Sequence, residues 1–213
     1  SEDGQSIGLP SLVRRYPTYD ENVRLYMVMA AHEAGHLEFG TFDLPVARLQ
    51  DLVEDLGRRY GRSTSQESRT LGDVFARYPQ PGLIRDLWAL VEDARVEYLL
   101  RAEYPGLSRD LALVAKDAVT IRSLAHGMTV RELVVDQLLL LSTAEAGSVP
   151  VPDAVQREVN ELWQLCQAMF TSEATAEEAV RLADRLYVRM DELLAVRREA
   201  LPSPDEAEAP EQS

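Results

Sequence analysis

An all-α domain of about eight helices is predicted by two features of the 213-residue chain. Threonine–glutamate capping boxes stand at three helix starts, and apolar residues recur between them at three- and four-residue steps. No segment alternates apolar and polar residues at the period of a strand. The stretch TYDENVRLYMVMAAHEAGHLEFG opens with Thr18-x-x-Glu21 after Pro17 and closes at Gly40, a glycine of the kind that ends helices. It is apolar nearly all round through LYMVMAA, which predicts a central position. Next, Val46, Leu49, Leu52, Val53, Leu56 and Tyr60 form one stripe of a helix ending at Gly61. RSTSQESRT reads as a polar loop, and LGDVFARY as a short helix stopped by PQPG. LIRDLWALVEDARVEYLLRAEYPG is a second helix with apolar residues on several sides, ended by Pro105-Gly106. Ser108 is the expected cap of the following helix, which runs to Gly127. Thr129-x-x-Glu132 opens VRELVVDQLLLLS. Asp153 caps a helix that ends near Phe170, and Thr175-x-x-Glu178 caps the last one, to about Arg198.

Composition narrows the class. Hydrophobic residues make up 46% of the chain, enough for a core without disulfide staples, and Cys166, the single cysteine, lies within a helical pattern as a small core residue. This agrees with a reducing, cytoplasmic compartment, and no apolar run approaches the length of a membrane span. With 22 Lys and Arg against 36 Asp and Glu, the net charge is −14, which argues against nucleic acid and anionic membranes as partners. Residues 1–200 read as a single domain. Residues 201–213, ending PSPDEAEAPEQS, hold too little apolar area to offset ordering entropy and are expected to be a disordered acidic tail or linker.

Chemistry concentrates in AAHEAGHLEFG, residues 30 to 40. Residues four apart lie on one helix face at about 6 Å, so His32 and His36 can offer two imidazoles to one Zn²⁺. Glu33 projects to one side and is placed to take a proton from water as a general base. Ala34 and Gly35 keep the helix slim, so a neighbour can approach closely. The bland alternative is two histidines on a helix face with no metal.

A catalytic zinc site needs a third protein ligand. His126 is the remaining histidine, at a helix end where a cation suits the dipole, and facing the site is its alternative role. LWALVEDARVEYLL is the stronger source, because it places charged residues in an otherwise apolar helix. Glu92 shares a face with Trp88, Val96 and Leu99 and is the acid expected to turn inward. Arg95 is close enough to pair with it or orient it, and Glu97 is the alternative ligand. Asp93 reads as solvated or paired with Arg101. A plain Glu92–Arg95 salt bridge holding the helix in register competes with ligation.

The HEAGH motif resembles that of the zincin metallopeptidases, and a His, His, Glu set from two helices resembles their gluzincin subgroup. Glu38 departs from the apolar residue usual at its place in that motif. The wider pattern, NVRLYMVMAAHEAGHLEFGTFDLP followed by LWALVEDARVEYLLRAEYPGL, resembles the helical region of the NorD and CbbO proteins over about residues 19 to 110. That resemblance implies a MoxR-class AAA+ ATPase partner, a metalloenzyme client such as nitric oxide reductase or Rubisco, and a von Willebrand factor A domain in the full-length chain. Such a domain is not in this sequence, which lacks a D-x-S-x-S motif. Two functions follow as expectations: a zinc metallopeptidase-like domain, or an adaptor whose metal is structural or missing.

Overall fold

The computed structural model describes residues 7–61, 68–121, 128–143 and 149–200, with the side chains of 116–121 and 198–200 excepted. The domain is all-α. Its helices are α1 (Tyr19–Glu38), α2 (Gln50–Tyr60), α3 (Leu71–Phe75), α4 (Pro81–Glu103), α5 (Pro105–Ile121), α6 (Val130–Thr143), α7 (Gln156–Cys166) and α8 (Ala176–Ala200), and no strand occurs among the described residues. The expected disordered tail and His126 lie outside the described residues.

The capping boxes form. Thr18 Oγ1 accepts from the Glu21 N–H, and the Glu21 carboxylate accepts from the Thr18 N–H. Thr129 with Glu132 and Thr175 with Glu178 repeat the arrangement. One boundary moves. Pro105 begins α5 instead of merely ending α4, because its fixed φ and missing N–H suit the first helical position. Ser108 therefore lies inside α5, where its hydroxyl donates to Arg101 O at 3.4 Å.

The centre of the domain is α4. Its N-terminal half buries Ile84, Leu87, Leu90 and Val91 against Leu182, Leu186 and Met190 of α8, with α2, α6 and α7 closing the sides. Each buried leucine contributes about 1.5–3 kcal/mol, so this core outweighs the helix caps in holding the fold. The C-terminal half of α4 enters a second, smaller cluster, where Val96 and Leu100 meet Val28 of α1 and Leu111 of α5. The expectation that α1 is central is thus corrected. Only Val28 and Gly35 of α1 are buried, and Tyr19, Val23, Tyr26 and Met27 face outward. α4 and α8, both long and apolar on the required faces, fill the centre and leave α1 one side of α4 to cover. Gly35 marks the crossing: a Cβ there would stand 2.8 Å from Val96 Cγ1 and 3.2 Å from Leu100 Cγ, so the close approach requires glycine.

Candidate metal centre

The end of α1 is turned back by a glycine motif that also builds the site. Gly40 takes the left-handed conformation (φ 69°), its N–H bonds Leu37 O at 3.3 Å, and the Thr41 N–H bonds His36 O at 3.0 Å. These two bonds satisfy end carbonyls and swing Thr41 under the ring of His36, whose Nδ1 lies 3.0 Å from Thr41 Oγ1. Thr41 is buried, and its hydroxyl donates to Glu92 Oε1 at 2.5 Å. An ionised carboxylate only accepts, so the hydroxyl hydrogen belongs to that bond and Oγ1 accepts from His36 Nδ1–H. His36 therefore keeps its Nε2 lone pair on the side away from Thr41.

At that nitrogen three donor atoms meet. His36 Nε2 is 3.1 Å from His32 Nε2, and Asp93 Oδ1 is 3.3 Å from His36 Nε2 and 3.6 Å from His32 Nε2. Tetrahedral zinc with bonds of about 2.0–2.1 Å spaces its ligands by about 3.3 Å, so the triangle has the size of a three-ligand face. Two imidazoles and a carboxylate are also the donor chemistry zinc takes. Among the described residues this is the one group of His, Cys, Asp or Glu side chains close enough to hold a metal ion.

The third corner is Asp93, where Glu92 or Glu97 was expected. Glu92 does turn inward and is 1% exposed, but toward Thr41 and Arg95, on the Nδ1 side of His36. Both of its oxygens are engaged by Arg95, Oε2 by Nε at 2.9 Å and Oε1 by a terminal nitrogen at 2.5 Å. Arg95, equally buried, also donates to Phe39 O at 3.1 Å and Ala174 O at 3.3 Å. The Glu92–Arg95 pair thus sits between the two apolar clusters and orients His36 through Thr41. Glu97 lies one turn beyond Asp93 and pairs with Arg101 at 3.3 Å, and burial raises its pKa.

The cluster is electrostatically coupled. Burial opposes ionisation of Asp93, but the rings of His32 and His36, 3.6 and 3.3 Å away, outweigh it and hold the carboxyl down to about 2. Burial likewise opposes protonation of His32, yet the Asp93 carboxylate beside it and the charges of Glu97 and Glu33 raise its pKa. Without a cation, His32 holds its proton more tightly beside Asp93, and a divalent ion would displace that proton. Glu33 is half-buried, close enough for its charge to act on His32, and among the described residues makes no hydrogen bond or ion pair. Of the aromatic hydroxyls nearby, Tyr104 donates to Glu38 Oε1 at 2.5 Å. Cys166 is buried and its thiol is pushed up to about 12, which removes it as a nucleophile at neutral pH.

Two site residues escaped the sequence reading. Asp93 had a signal: Gly35 marks where α1 touches Val96 and Leu100, and Asp93 is one turn before Val96 on that face of α4. Thr41 had a weaker one, as the first residue past the helix-ending glycine.

No protein-family model matches the chain, and neither a curated protein nor a solved structure matches it. No helix among the described residues is long and apolar enough to cross a membrane.

The Thr41 bridge carries a prediction. Thr41→Val should lower zinc affinity by about 10–100-fold, because the ring of His36 loses its orienting partner, whereas Thr41→Ser should retain it. Competition titration against a chromophoric chelator measures both. Equal affinities for the valine and serine variants would remove Thr41 from the site.

Proposed function

We propose that the chain is a zinc-binding, metallopeptidase-like domain in which His32, His36 and Asp93 hold the ion and Glu33 is the general base. The observation that carries this reading is the donor triangle beside a glutamate that makes no hydrogen bond or ion pair among the described residues. A structural site has no use for that glutamate. Zinc on three protein ligands supplies a Lewis acid and brings the pKa of water at its open position to about 7. The protein's own part is to hold and move a proton. Glu33 takes it from the attacking water as the water oxygen bonds to the peptide carbonyl carbon. It then returns the proton to the amine nitrogen as the carbon–nitrogen bond breaks. The carboxylate corner differs from the glutamate of gluzincins, so the likeness to zincins rests on the HEAGH helix.

Protein purified without a histidine tag should contain about one equivalent of zinc, and His36→Ala and Asp93→Ala should each lose it. Unchanged zinc in both variants would end this reading.

The resemblance to the helical region of NorD and CbbO proteins supports a cytoplasmic setting, a MoxR-class AAA+ ATPase as partner and a metalloenzyme as client. An adaptor reading is favoured by one observation, the uncovered apolar face of α1. There the ATPase rate of a partner would respond to the domain even with Glu33 replaced.

A further inference from the structure

The outer face of α1 is apolar and, among the described residues, uncovered. Tyr19, Val23, Tyr26 and Met27 recur at three- and four-residue steps, with exposures of 82, 39, 37 and 58%. Isolated exposed apolar residues are ordinary, but four on one face of one helix form a contiguous strip of the kind that marks an interaction site. The segment before the helix widens it. Leu12, 63% exposed, and Tyr16 join Tyr19, Val23 and Tyr26 around a groove of about 660 Å³. The strip also has a direction. Tyr19, Tyr26 and Glu33 follow one another at seven-residue steps, which keeps them nearly in line along the helix. The groove therefore leads to the proposed base.

Charge divides the strip's two ends. At the groove end charges are mixed: Arg14 lines the groove beside Tyr19, and Asp20 and Glu21 stand in the first turn of α1. At the other end stand Glu33, Glu38 and Glu97, with Asp93 taken up in the donor triangle and Arg101 bonded to Glu97. Arg24, on the flank of the helix, is paired with Asp110 at 3.1 Å. A strip that is apolar along its length and acidic at one end is complementary to a polypeptide segment of apolar residues followed by Lys or Arg. Anionic membrane surfaces offer the opposite charge at that end.

We propose that the outer face of α1 docks an extended apolar segment of a polypeptide client and brings the basic residues after it to Glu33. This names the substrate class of the proposed hydrolase and rests on that reading. The strip would supply binding energy away from the reacting bond, and the acidic end would set which bond is presented.

The test uses the full chain and a fluorescein-labelled peptide of alternating leucine and serine that ends in lysines, with a twin ending in glutamates. Fluorescence anisotropy and zinc content are read on the same samples, for wild type and for Val23→Lys/Met27→Lys. Both side chains are exposed, so zinc content and circular dichroism should not change. The lysine-ended peptide should bind saturably, its glutamate twin about tenfold or more weaker, and the double variant should lose about tenfold or more in affinity. Equal binding by wild type and variant, or no saturable binding, overturns the docking strip. So does a wild-type dimer that the double variant converts to monomers while the peptide fails to bind, since a second copy then covers the face. A chain without zinc that still binds the peptide through the strip overturns the hydrolase reading and leaves the docking surface standing.

Discussion

Arg95→Met should destabilise the domain by about 3–5 kcal/mol, because it leaves the Glu92 carboxylate buried without its cation. The arginine is 1% exposed and spends its donors on Glu92, Phe39 O and Ala174 O. Methionine fills most of the volume but offers none of those donors. Lysine would keep the charge and lose the planar fork that reaches two carboxylate oxygens and two carbonyls together, so Arg95→Lys should also destabilise. The informative companion is Glu92→Met/Arg95→Met. Replacing both members of a buried pair by apolar residues of similar size is often close to neutral, so urea midpoints should recover most of the loss. Zinc affinity should not recover with them, since Thr41 would have lost the acceptor that fixes its hydroxyl hydrogen. A fully stable double variant with wild-type zinc affinity would mean that the buried pair does not orient His36. An Arg95→Met variant within about 1 kcal/mol of wild type would mean that the Glu92 charge is relieved some other way.

The same pair explains what could and could not be read from the sequence. Helix number, capping boxes and the facing of His32 and His36 are local properties, set by residues three and four apart, and local periodicity exposes them. The inward turn of Glu92 was legible for the same reason, as a charge on the apolar face of α4. Which neighbour it turned toward was not. That depends on segments far along the chain: the turn before α8 supplies Ala174 O, and α8 supplies the long partner face. With α8 in the centre, α1 is displaced to the second cluster, and the acid that meets the histidines is the next residue round the helix, Asp93. The misplacement of α1 has the same origin. A helix apolar on every side reads as buried when its own sequence is all that is weighed, and the alternative, a face held open for another polypeptide, has the same composition.

Glu33→Gln should keep zinc at the wild-type level and lower cleavage of a bound peptide by about 10²–10⁴-fold. The two halves of that expectation come from different parts of the geometry. The proposed zinc ligands are His32, His36 and Asp93, whose donor atoms lie 3.1 to 3.6 Å apart, and Glu33 contributes none of them. Glutamine has nearly the shape of glutamate, and among the described residues Glu33 has no ion pair to lose, so the helix and the site should stand. What disappears is an oxygen able to accept a proton at neutral pH. It also removes one of the negative charges that raise the pKa of His32, so zinc, which competes with that proton, should bind no worse near neutral pH. Cleavage of the lysine-ended peptide, followed by mass spectrometry at equal zinc content, reads the catalytic half. Retained cleavage would remove Glu33 as the base while leaving the metal site intact. Loss of zinc in the variant would instead make Glu33 part of the binding set, which its freedom from the donor triangle speaks against.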